Sequence, residues 1–200
     1  MKTIRWGIIG CGKVTEVKSG PAFRLADNSE LMAVMRRNGR LAEDYARRHH
    51  VKYWFDDATS LVNHPEVDAI YIATPPSTHL QYALMAAEAR KPAYVEKPMA
   101  LNYKACRKMI DAFEAVGLPL FVAYYRRALP RFLKIKSIIG SGEIGEVRFA
   151  NVVMHKKPAA SDLKGEENWR VQPEISGGGY FVDLGSHMLD ILQFYFGNII

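Results

Sequence analysis

Cysteine is scarce: Cys11 and Cys106 are the two among 200 residues. Neither belongs to a C-x-x-C pair or sits among histidines, which argues against a disulfide framework and a cysteine-bound zinc site. Long apolar runs are missing as well. No stretch approaches the roughly 20 residues needed to cross a bilayer. The apolar run between Arg5 and Lys13 falls short of a signal peptide's core of roughly 7–15 residues followed by a cleavage site. The expectation is a cytoplasmic protein with no membrane partner. A dense basic tail is also absent. The formal net charge of +6 comes from scattered residues such as Arg131, Lys134 and Lys136, without an interleaved aromatic platform, which argues against a nucleic-acid partner. There is no internal repeat and no low-complexity tract.

What is present is an alternation of apolar runs and amphipathic stretches. Thr3–Ile9 reads as a buried strand, followed by Gly10-Cys11-Gly12 and a helix starting near Lys13 that Pro21 limits or kinks. Leu31–Met35 reads as a strand and Gly39–Arg48 as a helix with Leu41, Ala42, Tyr45 and Ala46 inward. Val51–Tyr53 and Val67–Ala73 are strand candidates. Ser77 is placed to cap a helix carrying Leu80, Ala83, Leu84 and Ala87 on one stripe. Ala93–Val95 is a strand ended by Glu96-Lys97-Pro98. Asn102 caps a helix that buries Cys106, Met109, Ile110 and Phe113 and stops at Gly117, and Leu118–Tyr124 is a further strand. This order predicts an α/β domain over 1–124, a doubly wound parallel sheet covered on both faces.

The rhythm then changes. Pro130 opens a helix to about Ile139, Glu146–His155 reads as a long valine-rich strand, 156–177 as loop, and Tyr180–Phe196 as a helix. Residues 125–200 therefore read as the beginning of a second, α+β domain that is incomplete here, because a half-covered sheet needs more strands.

Gly10 and Gly12 stand between a strand and a helix start, where their missing Cβ atoms allow a tight turn and close approach of a pyrophosphate. With Cys11, Lys13 and Val14 they form a candidate dinucleotide cradle at a helix N-terminus. The third glycine of the fingerprint is replaced by Thr15, which is expected to loosen helix–strand packing slightly. No G-K-S or G-K-T follows, so a P-loop is disfavoured. An NAD site usually carries Asp or Glu about 20 residues past the glycines. This chain has Met35-Arg36-Arg37-Asn38 there, and Arg36 and Arg37 suit the 2′-phosphate of NADP. NADP is thus preferred, with NAD as the alternative.

Three stretches taken together resemble the glucose–fructose oxidoreductase/inositol dehydrogenase family: Thr74-Pro75-Pro76-Ser77-Thr78-His79, Glu96-Lys97-Pro98, and the run from Gly177 to Asp190 that contains Asp183-Leu184-Gly185-Ser186-His187. The resemblance spans essentially the whole chain. It implies a nucleotide-binding (Rossmann) first domain. It also implies a second domain with a large, mainly antiparallel open sheet, through whose face homo-oligomers, dimers or tetramers, form. By the same resemblance Lys97 would touch the nicotinamide region and the reacting oxygen, Glu96 would help hold the cofactor, and Thr74, Pro75 and His79 would line the cofactor edge. Asp183 and His187 would be catalytic and meet the substrate, beside Tyr124, Arg126, Trp169 and Arg170.

The residues permit that chemistry on their own terms. Lys97 follows the C-terminal end of a strand, where an ammonium can stabilise charge on an oxygen. Asp183 and His187, four apart in a helical pattern, share one face about 6 Å apart along the axis. His187 is a natural proton carrier, and Asp183 would orient the imidazole or bind a hydroxyl. A metal pair lacks a third ligand at a matching spacing. Tyr124 and Tyr125 alternate on a strand in this reading, so that one of them faces any given side. The expected activity is NAD(P)-dependent oxidoreduction of a sugar, polyol or related small compound. A redox-neutral glycosidase using NAD transiently and a non-enzymatic dinucleotide sensor are the alternatives.

Overall fold

The computed structural model describes residues 2–155, 157–158 and 168–198. The chain divides into two compact units, Met1–Ala123 and Tyr124–Ile200.

The first unit is built on a six-stranded parallel sheet: β1 (Ile4–Ile9), β2 (Ser29–Met35), β3 (Tyr53–Phe55), β4 (Ala69–Ile72), β5 (Ala93–Val95) and β6 (Leu120–Val122), in the order β3-β2-β1-β4-β5-β6. That order reverses between β1 and β4, and the crevice beyond the carboxyl ends of those two strands is where open α/β sheets bind ligands. Side chains alternate across the sheet with a period of two. Ile8, Val34 and Tyr71 pack on one face with Phe23, Ala42, Tyr45 and Ala46. Ile9, Met35, Ile70, Ile72 and Val95 pack on the other with Leu61, Ala83, Ala86, Met109 and Phe113. Both faces are covered, so the strands read as continuous apolar runs. Each fully buried large side chain stabilises the fold by about 1.5–3 kcal/mol.

The helices follow their local signals with instructive exceptions. Gly39–Arg48 starts at Asn38, whose side chain accepts from the Leu41 amide. Tyr103–Val116 starts at Asn102 in the same way and ends on Gly117 in the left-handed region, φ +67°. The stretch after the glycine turn is two helices, Lys13–Val17 and Ser19–Leu25, broken at Lys18. Pro21 lies in the first turn of the second helix, where its missing N–H costs nothing. Ser77 does not cap. Pro76–Thr78 is a 3₁₀ turn begun by Pro75, and it leads directly into His79–Glu88. The short helix Ala58–Val62, capped by Asp57, has no periodicity long enough to show in the sequence. The third strand lies at Tyr53–Phe55 rather than over Val51–Tyr53, because Val51 closes the preceding helix through its amide on Ala46 O.

The second unit holds the helix Pro130–Ser141, with Pro130 in its first turn, and the helix Ser186–Phe196. Between them lie a 3₁₀ turn Trp169–Val171, a short helix Pro173–Ser176 and a π-helical turn Phe181–Gly185. The expected strand over 146–155 has no ladder partner among the described residues. A strand exists through its neighbours, and without them the segment has no regular structure and exposes Phe149, Val152, Val153 and Met154. The loop expected over 156–177 is replaced at its end by the two short turns, and residues 156 and 159–167 lie outside the described residues.

Candidate dinucleotide and substrate sites

The glycine turn is set by three constraints. Gly10 has φ +94°, and a Cβ there would lie 2.7 Å from Thr74 Cγ2 and 3.0 Å from the Ala73 carbonyl carbon. This position therefore needs glycine for both conformation and space. Gly10 and Cys11 donate their amides to Met35 O at 2.9 and 3.1 Å, which ties the turn to β2. Cys11 is fully buried, and burial pushes its thiol up to about 11. Its amide is taken by Met35 O and its side chain lies in the core with Ile8, Val34 and Tyr71. That leaves the positions after it. Gly12 has φ −133°, and a Cβ there would meet nothing nearer than Gly10 O at 3.8 Å. The open space lies before the first turn of Lys13–Val17, where the Thr15 and Glu16 amides turn back to Gly12 O at 3.0 and 3.1 Å and the amides ahead of them precede the first intrahelical bond. Lys13 is exposed and Val14 partly buried at this edge.

Thr15 does not loosen the turn. It is fully buried, its hydroxyl donates to Gly12 O at 2.9 Å, and its carbonyl accepts from the Tyr45 hydroxyl at 3.0 Å. The third close approach moves to Gly20, where a Cβ would sit 2.1 Å from Thr15 O. Glu16 then joins this segment to the helix Gly39–Arg48 through Arg48 (2.6 Å) and His49 (2.7 Å). Arg48 first and His49 after it hold the Glu16 carboxyl at about 2, against desolvation.

Arg36 and Arg37 follow the end of β2, both exposed. The Arg36 amide is held by Phe55 O at 3.1 Å, and neither guanidinium makes an ion pair among the described residues. The Arg36 charge is close enough to Cys11 to act on its thiol. A cradle that a Cβ would fill, leading amides at a helix start, and two arginines where an acidic residue would select NAD together fit a phosphorylated dinucleotide.

The rest of the edge comes from the ends of β4 and β5. Thr74 is held by Thr78, hydroxyl to hydroxyl at 2.8 Å, and Pro75 starts the 3₁₀ turn. His79 lies beneath this edge rather than on it: it is fully buried, with Nε2 2.7 Å from Thr74 O and Nδ1 3.0 Å from Pro98 O. Burial lowers its pKa. A neutral imidazole has one N–H, so it donates to one of these carbonyls and spans the two loops. Glu96 and Lys97 are partly buried at the end of β5, and the Lys97 amide donates to Glu96 Oε2 at 3.2 Å. Sequence reasoning missed Tyr71, whose hydroxyl donates to Glu96 Oε1. The two residues are 25 apart in the chain, and no local signal pairs them.

In the second unit His187 is 3% exposed. Tyr124 and Tyr125 both meet its ring edge-on, with centroids 5.8 and 5.4 Å away. The expectation that one tyrosine would face each side assumed a strand. The chain is a 3₁₀ turn over Tyr125–Ala128, and a turn brings consecutive side chains round to one neighbour. Asp183 stands in the π-helical turn and accepts from Arg170 Nε at 3.3 Å. Arg170 also covers one face of Trp169, 4.5 Å from its centroid. Arg126 donates to Met188 Sδ at 3.6 Å. Arg127 and Asp190, which the sequence did not single out, form a 2.7 Å ion pair 63 residues apart. Asp190 also lines a cavity of about 550 Å³ with Tyr124, Ser186, Leu189, Gln193 and Asn198, within the size range of small-ligand pockets.

The strand order and the glycine turn define a dinucleotide-binding α/β domain. Residues 4–124 match an oxidoreductase family with an NAD-binding Rossmann fold, and residues 132–200 match the C-terminal domain of the same family. The chain belongs to the Gfo/Idh/MocA oxidoreductase family. It is 48% identical over 198 residues to Oxidoreductase P35 of Formosa agariphila, covering 98% of this chain and 61% of that protein. It is 33% identical over 205 residues to D-xylose 1-dehydrogenase (NADP(+)) of Hypocrea jecorina, covering 94% and 51%. The crystal structure of an NAD binding oxidoreductase from Klebsiella pneumoniae superposes with a TM-score of 0.78 at 27% identity, over 98% of this chain and 54% of that one. The chain thus spans between half and two-thirds of these proteins. No helix among the described residues is long and apolar enough to cross a membrane, and no group of three His, Cys, Asp or Glu among them could hold a metal ion.

Proposed function

We propose that the protein is an NADP-preferring oxidoreductase acting on a hydroxyl or carbonyl carbon of a sugar, polyol or related small compound. The observation that carries this reading is the open space at Gly12 beside the turn at Gly10, with Arg36 and Arg37 exposed beyond the neighbouring strand and in no ion pair among the described residues. The similarity to an NADP-linked xylose dehydrogenase supports the cofactor and the substrate class. When bound, the nicotinamide supplies the site for hydride addition or removal.

The chain's own residues supply the rest. The leading amides of Lys13–Val17 take the pyrophosphate, and Arg36 and Arg37 donate to the adenosine 2′-phosphate. Thr74 and Pro75 border the nicotinamide end, and Glu96 accepts from the cofactor there. Lys97 stabilises negative charge on the substrate oxygen. His187 carries the proton of that oxygen, and Asp183 and Arg170 orient hydroxyls, with Trp169, Tyr124 and Arg126 lining the substrate side. Residues 1–124 form the cofactor domain and 125–200 the first part of a substrate and oligomerisation domain. The apolar segment around Phe149–Met154 contributes there to a larger antiparallel sheet that joins copies into dimers or tetramers.

The test is a screen of the full protein against aldoses, ketoses and polyols with NADP(H) and NAD(H), read by nicotinamide absorbance. Turnover with at least one such compound, faster with NADP(H), is expected, and Lys97→Ala lowers it by orders of magnitude while cofactor affinity stays within about tenfold. Absence of both turnover and cofactor binding refutes the reading. Turnover of a glycoside without a net change in nicotinamide replaces it by the redox-neutral alternative.

A further inference from the structure

The Glu96–Lys97 turn is anchored from inside the sheet by a residue with no place in the roles above. Tyr71 lies on β4, 1% exposed, with its ring between Phe23 (centroids 4.9 Å apart) and Tyr94 (5.4 Å). Its hydroxyl reaches past the end of the neighbouring strand and donates to Glu96 Oε1, while Glu96 Oε2 accepts from the Lys97 amide. The Glu96 amide is itself held by Ile72 O at 2.9 Å. Both carboxylate oxygens and the Glu96 and Lys97 amides are therefore held, and the Tyr71 phenol supplies one of these contacts from the neighbouring strand. Without it the carboxylate could turn about its broad terminal torsion and release the Lys97 amide.

We propose that Tyr71 is a positioning residue that sets the Glu96 carboxylate, and through it the Lys97 turn, for the dinucleotide. This rests on the reading under Proposed function that the turn faces the nicotinamide. Burial first, and the Glu96 charge after it, raise the Tyr71 pKa, so the phenol remains a neutral donor across the working range. A tyrosine that merely filled the core would have its effect through packing and would be indifferent to what residue 96 is.

Tyr71→Phe separates the two roles, because it keeps the ring between Phe23 and Tyr94 and deletes the hydroxyl. Two measurements on the full protein decide. In the absence of nucleotide, hydrogen exchange at the Lys97 amide is expected to accelerate at least about fivefold in Tyr71→Phe, with amides inside β1 and β4 unchanged. By fluorescence titration with NADPH, the Kd is expected to rise about fivefold. The same Tyr71→Phe change made in a Glu96→Ala background then adds less than about twofold, because its route of action is already gone. Unchanged Lys97 exchange overturns the proposal, as does unchanged NADPH affinity or a full fivefold loss that persists in Glu96→Ala. If the unaltered protein binds neither NADPH nor NADH, the functional reading falls and takes the cofactor part of this inference with it. The exchange measurement still decides whether Tyr71 holds the turn.

Discussion

Alanine placed at each glycine of the cradle in turn should separate folding from binding. At Gly10 the added Cβ meets Thr74 Cγ2 at 2.7 Å and the Ala73 carbonyl at 3.0–3.1 Å, and φ is +94°. The left-handed conformation costs about 1–2 kcal/mol for an L side chain, and forcing a methyl into a packed site costs about 1–3 kcal/mol. Gly10→Ala is therefore expected to lose about 2–5 kcal/mol of stability. At about 2–4 °C per kcal/mol for a chain of this size, the Tm falls by about 4–20 °C. Gly12→Ala is the opposite case. Its φ of −133° suits alanine and its nearest contact would be at 3.8 Å. Its stability should stay within about 1 kcal/mol of the original, with a slight gain from the restricted unfolded chain. Yet its methyl enters the space assigned to the pyrophosphate, so NADPH affinity should fall at least about tenfold. Thermal unfolding by circular dichroism and nucleotide fluorescence titration on both variants provide the four numbers. If Gly12→Ala binds NADPH as tightly as the unaltered protein, the phosphate does not lie at this turn. If Gly10→Ala melts with the unaltered protein, the strain argument fails.

Other outcomes follow from the same structure. Replacing Arg36 and Arg37 together by alanine should weaken NADPH binding about tenfold or more and leave NADH within about threefold, read by paired titrations. Phe113→Ala empties a fully packed position on the face of the sheet that carries Ile9, Ile70 and Ile72 and should cost about 3–5 kcal/mol by urea unfolding. His79→Ala removes a fully buried ring spanning Thr74 O and Pro98 O and should cost at least about 2 kcal/mol in the same assay. The Glu16 carboxyl, held at about 2 against a usual 4.5, adds stability that is fully present above pH 4.5 and lost as pH falls through about 2. Glu16→Gln should therefore lower the Tm at neutral pH, and the gap to the unaltered protein should close progressively over that window.

Most of the first unit was legible because a parallel sheet buried on both faces writes itself as apolar runs. Ile4–Ile9, Ser29–Met35 and Ala69–Ile72 announce themselves this way, and Asn38, Asn102 and Gly117 mark helix ends through local chemistry. What stayed hidden is non-local or too short to be periodic. The five-residue helix Ala58–Val62 completes little more than one turn. The break at Lys18 and the rescue of Thr15 by Gly12 O and Tyr45 depend on how two helices meet. The π-helical turn at Phe181–Gly185 has no periodic signature, and the strand expected over 146–155 cannot exist by itself. In the candidate sites, the glycines, the arginine pair and the Glu-Lys-Pro turn could be read from type and spacing. The Tyr71–Glu96 and Arg127–Asp190 pairs join residues 25 and 63 apart, and chain distance conceals such contacts.

The central claim is hydride transfer at the nicotinamide with Lys97 assisting at the substrate oxygen. Its most direct test is a single turnover of the full protein with NADPH deuterated at the transferring C4 position and a carbonyl sugar found active in the screen, followed by mass spectrometry of the product. The account predicts deuterium on the former carbonyl carbon, and Lys97→Ala should slow its appearance by orders of magnitude at saturating NADPH. Product that forms at full rate without deuterium, or labelled product formed equally fast by Lys97→Ala, would contradict it.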